Sequence, residues 1–379
     1  MMMDDLRIAQ KTKLKKIADI AKLAGIKTDE LKFYGDYIAK VYPLLLNRLK
    51  AKKNGKLILV TSITPTKFGE GKTSTAVGLT QALGKLKKNV FLCLREPSLG
   101  PIFGIKGGAC GGGYSQILPM EDINLHFTGD SYAVSAANNL ACAILDNYIY
   151  HNDRKLDIDV SRIQIRRSSE IGDRSLRRLV FKENSSSYSS GFDITAASEI
   201  MAILSLCKDM SDLRKRIERM VVAFSKSGKP INCKDLGVSG AMVMLLKDAI
   251  MPNLVQTMEG EPAFIHCGPF ANIAHGANSL ISLLMALKLS DYVVTESGFG
   301  AELGAEKFFN IVCSIGKIKP DLAVIVASVR ALKIHGKENL LKHINVITKF
   351  GVKPLVALNI FGDESKEDIE SLITFCHDN

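Results

Sequence analysis

Residues 64–75 read Thr-Pro-Thr-Lys-Phe-Gly-Glu-Gly-Lys-Thr-Ser-Thr. They stand between an apolar run, Leu57-Ile58-Leu59-Val60, and a stretch in which Ala76, Leu79, Leu83 and Leu86 recur at steps of three and four. The first reads as a buried strand and the second as the inner face of a helix. A strand, a turn ending in Gly71-Lys72-Thr73 and a helix make a phosphate cradle. Backbone N–H groups and the helix N-terminus face the anion, and a lysine adds a full positive charge. The pattern implies a nucleoside triphosphate held by Thr66, Gly69, Glu70, Gly71, Lys72, Thr73 and Ser74. Thr66 stands where the general pattern G-x-x-x-x-G-K-[ST] has its first glycine, so only the second half of the pattern is met. An ordinary turn before a helix also tolerates Gly-Lys-Thr; the buried strand and periodic helix on its flanks favour the phosphate loop.

The 379 residues are 46% hydrophobic and 23% charged, which allows one large globular domain or two unequal ones. No apolar run approaches a membrane span, and the Met-Met-Met-Asp-Asp start lacks the basic and apolar segments of a secretory signal. We expect a cytoplasmic protein with no membrane partner. Cysteines at 93, 110, 142, 207, 233, 267, 313 and 376 form no C-x-x-C pair, which argues against a zinc site or a disulfide framework and for reduced, mostly buried thiols. The formal charge of +11 raises a nucleic-acid reading. Against it, Lys11, Lys13, Lys15 and Lys16 and the arginines from 162 to 178 are interleaved with apolar helical positions. There is also no tryptophan and no aromatic-basic alternation for stacking bases. A positive field that gathers phosphates and acidic substrates explains the surplus.

Residues 5–50 read as mostly helical. Beyond them, apolar runs at 57–63, 90–94, 219–224, 263–267, 292–295, 322–329 and 354–360 are separated by helical patterns at 73–87, 130–148, 194–206, 234–250, 278–288 and 364–376. This alternation predicts an α/β fold, a mostly parallel sheet with helices on both faces around a P-loop NTPase-like core. Residues 1–150 are expected to carry the N-terminal helices and the nucleotide-binding part, and 151–379 a second α/β part that completes the core. Residues 184–191, rich in serine, read as a mobile loop.

The unusual motifs follow strand ends, where ligands of such sheets bind. Arg95-Glu96-Pro97-Ser98 follows 90–94, ahead of a glycine-rich loop at 104–114; a surface ion pair at 95 and 96 would be worth little, but the position after a buried strand favours a site. Pro269 to Gly276 follows 263–267, Glu296-Ser-Gly-Phe-Gly-Ala-Glu302 follows 292–295, and Arg330 to Gly336 follows 322–329. His266, Cys267 and His275 lack zinc-ligand spacing and read as core residues or as residues that back the site without touching its ligand, while Asp193 and Glu199 read as lying at and just inside a helix start.

Gly104-Ile-Lys-Gly-Gly-Ala-Cys-Gly-Gly-Gly-Tyr114 and Val326-Ala-Ser-Val-Arg-Ala-Leu-Lys-Ile-His-Gly336 resemble the two signatures of formate–tetrahydrofolate ligases, the bacterial single-function formyltetrahydrofolate synthetases. The first departs from the usual pattern at Cys110 and the second at Ser328 and Lys337. The stretches 94–101, 120–130 and 269–276 are also similar to that family. The resemblance implies ATP-dependent ligation of formate to tetrahydrofolate through formyl phosphate, giving 10-formyltetrahydrofolate, ADP and phosphate. It implies that Lys72 holds the transferring phosphoryl group, and that Arg95 binds formate and formyl phosphate with Lys106, Gly107 and Gly108. Thr73 would meet Mg2+, and Glu96 would serve a monovalent-cation site for K+ or NH4+. Phe299, Glu296, Arg330 and Lys333 are nucleotide or folate contacts in this reading. The partners it implies are ATP, formate, tetrahydrofolate with its polyglutamate tail, and further copies of the chain, with no nucleic acid.

Three departures bear on activity. Phe181 to Ser190 replaces a glycine-rich stretch of the family, the segment after Gly336 is short, and the sequence ends at Asn379 where the family continues. From these we expect ATP binding with magnesium, and weak or absent formation of 10-formyltetrahydrofolate. The alternative expectation is a shortened, partly active or non-catalytic ATP-binding protein of the same descent.

Overall fold

Alternate residues of the strand Lys56–Ser62 face opposite ways: Leu57 and Leu59 enter one apolar core, Ile58 and Val60 another. Phe91 and Cys93 are split in the same way from Val90, Leu92 and Leu94, and Ala323 and Ile325 from Val324 and Val326. Successive side chains of a strand point to opposite faces, so a strand that is apolar at every position has to be covered on both.

The computed structural model describes residues 5–67, 69–99, 110–151, 155–183, 186–362 and 364–378. Among these, eleven strands form one sheet: β1 (Leu31–Tyr34), β2 (Ile38–Val41), β3 (Lys56–Ser62), β4 (Val90–Leu94), β5 (Gly111–Gly112), β6 (Ser115–Leu118), β7 (Asn253–Thr257), β8 (Pro262–Ile265), β9 (Tyr292–Glu296), β10 (Leu322–Ser328) and β11 (Lys353–Asn359). The order is β1-β2-β7-β8-β4-β9-β3-β10-β11, with the β5–β6 pair added against β7. From β8 to β11 all neighbours are parallel; β1, β2, β7 and β8 pair antiparallel. Strands from before residue 150 thus alternate with strands from after residue 250 in one sheet.

Helix α1 (Lys72–Lys85) covers one face with Ala76 and Val77 buried and Leu79 and Leu83 packed beside them. Leu86 lies past the end of the helix and is exposed, so the expected apolar face ends one position early. On the other face, α2 (Asp130–Tyr150), α3 (Leu280–Leu289), α4 (Val329–His335) and α5 (Lys337–Lys349) supply Val134, Leu145, Leu283, Leu332, Leu340 and Ile347. No described helix is long and apolar enough to cross a membrane.

Four readings of local structure are corrected. Residues 31–41 form the β1–β2 hairpin where helix was expected; the lysines at 32 and 40 look like solvent positions, but Lys40 is fully buried against Asp130. The apolar run at 219–224 contributes Val221–Ser225 to a separate three-stranded sheet with Ile158–Ile163 and Pro230–Asn232. Ser186–Ser190 is a strand paired with Leu179–Glu183, because Tyr188 is buried and stacks on Phe181 with ring centroids 5.3 Å apart. Asp193 lies in the strand Phe192–Ile194, while Glu199 does open a helix, Glu199–Leu206.

Candidate active site

Because β3, β4, β8, β9, β10 and β11 run the same way, Ser62, Leu94, Ile265, Glu296, Ser328 and Asn359 lie along one edge of the sheet. The crevice outside the carboxyl ends of parallel strands is where side chains from many strands converge on a ligand. Here that edge carries a cavity of about 480 Å³ lined by residues 69–74, residues 95–98, Gly111, Gly268, residues 270–272, Glu296 and Phe299.

The loop entering α1 is shaped by two left-handed glycines, Gly69 at φ +78° and Gly71 at φ +75°. The N-cap of α1 is Gly71, which has no side chain to cap the first turn. Glu70 braces the loop from behind: its Oε1 accepts from Thr66 N at 2.8 Å and its Oε2 accepts from Ser328 Oγ at 2.6 Å. Lys72 Nζ, at the head of α1, donates to Phe299 O at 2.6 Å and lies 3.4 Å from Ser62 Oγ. Thr73 Oγ1 donates to Glu296 Oε2 at 2.8 Å.

Arg95 approaches the same carboxylate from the β4 side, its guanidinium 3.8 Å from Glu296 Oε1. Its Nε is buried and has no partner among the described residues, a strong donor left unspent next to the cavity. Glu96 is buried too, and its Oε2 lacks a partner among the described residues. Burial pushes its carboxyl well above the usual range, the charges of Asp130 and Glu170 add to this, and Lys40 opposes it. Glu170 takes Ser98 Oγ at 3.0 Å and Leu99 N at 3.2 Å on Oε1, and its Oε2 is likewise without a partner among the described residues. Close backbone approach holds this corner together: a Cβ on Gly268 would lie 2.2 Å from Glu96 O.

A family model described as formate–tetrahydrofolate ligase matches residues 3–379. The chain belongs to the formate–tetrahydrofolate ligase family. Membership implies ligase chemistry in one-carbon metabolism, with ATP, formate and tetrahydrofolate as substrates.

Of the residues that the sequence singles out within this ligase family, the structure brings Gly69, Glu70, Gly71, Lys72, Thr73, Ser74, Arg95, Glu96, Glu296 and Phe299 to one cavity. Thr66 is close by as a brace of the loop. Lys106, Gly107 and Gly108 lie outside the described residues. Arg330 sits over the Phe361 ring at 4.5 Å and Lys333 pairs with Asp368 at 2.9 Å, and neither lines the cavity. His266 and His275 are core residues as expected, both held neutral by burial. Seven of the eight cysteines are buried and Cys376 is half-buried.

Sequence reasoning missed Glu170, Asn339, His343 and Asn359. Asn359 closes the run at 354–360, and a polar residue ending a buried strand was the available signal. Glu170 sits in a charge-rich segment with nothing to distinguish it, and Asn339 and His343 occupy an amphipathic helix that reads as surface.

Proposed function

We propose that this cavity binds ATP with its phosphates over residues 69–74 and formate beside Arg95, and that the protein joins formate to tetrahydrofolate through formyl phosphate. The products are 10-formyltetrahydrofolate, ADP and phosphate. The observation that carries the reading is the coexistence in one cavity of the glycine-capped, lysine-headed start of α1 and of Arg95, whose buried Nε has no partner among the described residues.

Formate is a poor electrophile until phosphorylation gives it a leaving group, so the site has to bring two anions together. A guanidinium matches a carboxylate with two parallel N–H bonds, which suits Arg95 to formate. Lys72 and the N–H groups of α1 neutralise charge on the transferring phosphoryl group, and positioning supplies most of the acceleration. Residues 1–150 supply the phosphate loop and Arg95, and residues 151–379 supply Gly268, Ala271, Glu296 and Phe299, so both parts are required.

The oxygen donors fit the ions that the reading calls for. Thr73 and Glu296, a hydroxyl and a buried carboxylate in contact, would hold Mg2+. Bound there, the ion would supply charge neutralisation for the triphosphate. Glu96, with an orphaned buried oxygen, would serve K+ or NH4+. Among the described residues no group of three or more His, Cys, Asp and Glu side chains could hold a metal ion, so neither ion would have an all-protein cage. The assembly we propose is a cytoplasmic homo-oligomer, readable by light scattering.

The test is formate-dependent release of ADP by the purified chain, measured with and without tetrahydrofolate, alongside Lys72→Ala. Turnover that needs formate and falls by about a thousandfold or more in a folded Lys72→Ala variant is the expected result. Unchanged turnover in that variant removes Lys72 and the phosphate loop from the reaction.

A further inference from the structure

The buried face of α5 holds a polar chain that the reaction as described does not use. His343, 1% exposed at its side chain, has Nδ1 2.6 Å from Asn339 O and Nε2 2.6 Å from Glu302 Oε2. A backbone carbonyl only accepts, so Nδ1 carries a hydrogen and Nε2 faces the Glu302 carboxylate at hydrogen-bond distance. Burial opposes ionisation of Glu302, yet the bond from His343, its own backbone contact and the charges of His343 and Lys72 hold its carboxyl below the usual range.

Both ends of this chain reach the phosphate loop. Asn339 Nδ2 donates to Thr64 Oγ1 at 3.0 Å and Asn339 Oδ1 accepts from Thr64 N at 3.3 Å, which fixes the chain just after β3. Glu302 lies three residues beyond Phe299, whose carbonyl accepts from Lys72 Nζ at 2.6 Å and from Ser62 Oγ at 3.2 Å. The intervening turn has little freedom. Phe299 is left-handed at φ +59°, a Cβ on Gly300 would lie 2.1 Å from Glu302 Oε2, and one on Gly304 would lie 1.6 Å from Gly298 O.

We propose that Glu302 and His343 are positioning residues for Lys72: their bond anchors the Phe299 turn to α5 and so fixes where the lysine head stands relative to the phosphate loop. This rests on the assignment of Lys72 to the transferring phosphoryl group. The pair does not touch the reacting atoms, and its effect passes through a backbone carbonyl. A displacement of about 1 Å in such a group costs on the order of a hundredfold in rate.

The experiment compares Glu302→Ala, His343→Ala, the double variant, His343→Gln and Lys72→Ala by formate-dependent ADP release and by thermal unfolding. We expect each single alanine variant to lower kcat roughly 10- to 100-fold with KM for ATP changed less than about threefold, and the double variant to be no worse than the weaker single. His343→Gln, whose amide can still donate to Glu302, restores most of the rate. Full kcat in folded alanine variants overturns the proposal, as do losses that multiply in the double variant. A fall in Tm with kcat per folded molecule unchanged also overturns it, since the pair is then only structural. If His343→Ala does not fold, Glu302→Ala, with a side chain 35% exposed, carries the same test. Loss of turnover in Lys72→Ala alone sinks the positioning role and leaves the phosphate-loop reading intact; retained turnover in Lys72→Ala sinks both.

Discussion

Asn359, the last residue of β11, reaches over Gly71 in the loop that leads into α1. Its Nδ2 donates to Glu70 O at 3.1 Å and stands where a Cβ on residue 71 would come within 2.4 Å. The edge strand of the sheet thereby fixes the residue that precedes the site's lysine.

Gly71→Ala meets two obstacles, a backbone at φ +75° and the Asn359 amide. The left-handed conformation alone costs a non-glycine residue about 1–2 kcal/mol. We expect a variant that folds with stability lower by about that amount and binds ATP at least about tenfold more weakly by calorimetry. Asn359→Ala in the same background relieves the contact but not the dihedral, so it recovers only part of the loss. Wild-type ATP affinity in Gly71→Ala contradicts this account.

Arg95→Lys keeps the charge and loses the planar fork. KM for formate is expected to rise at least about tenfold while KM for ATP moves by less than about threefold, because an ammonium cannot pair a carboxylate bidentately. Equal rises in both constants take Arg95 out of the formate position.

Lys40 and Asp130 form a buried pair, with Lys40 Nζ 2.7 and 2.8 Å from the two carboxylate oxygens and Asn253 Nδ2 at 2.9 Å from Oδ2. Lys40→Met leaves Asp130 charged and uncompensated, a loss of about 3–5 kcal/mol by urea unfolding. Adding Asp130→Leu is expected to recover much of that stability. A loss below about 1 kcal/mol for the single variant shows that the pair is not a net structural contributor.

Burial lowers His266 to about 4, and burial together with the charges of Arg95 and Lys307 lowers His275 to about 4, against an ordinary value of 6.5. Between these values the unfolded chain takes up protons that the folded chain refuses. Stability is therefore fully present above about pH 6.5 and is lost as the pH falls toward 4, by about 3 kcal/mol for each histidine. Urea midpoints at pH 7.0 and 4.5 are expected to differ accordingly, with the difference reduced in His275→Gln. An unchanged difference in that variant assigns the acid sensitivity to other groups.

The parallel half of the sheet was legible because its strands are covered on both faces and so read as unbroken apolar runs, as in Leu57–Val60 and Val90–Leu94. The hairpin at 31–41 and the serine-rich strand at 186–190 were not. Leu31–Tyr34 and Ile38–Val41 carry lysines that only a distant aspartate explains, and the serines of 186–190 hide the buried Tyr188. At the site, Arg95 and Glu296 stand at strand ends and Lys72 and Thr73 open the helix after a glycine turn, so all four could be picked out by position. Glu170, Asn339 and His343 could not, because their partners lie 71 or more, 275 and 41 residues away and no local pattern links them. Arg330 and Lys333 show the reverse limit: a motif at a strand end continues into a helix whose basic residues turn outward.

The interleaving of the sheet also dictates an order of assembly on the ribosome. β3 ends at Ser62 and is flanked by β9 and β10, which begin at Tyr292 and Leu322, so both its edges stay open while some 230 residues are made. At about 5–20 residues per second that interval is roughly 10–50 s, during which Leu57–Val60 and Val90–Leu94 are exposed apolar edges. Until Tyr292–Glu296 and Leu322–Ser328 have emerged, β3 has none of its partners in the sheet, so the chain before Tyr292 does not contain a closed form of this sheet.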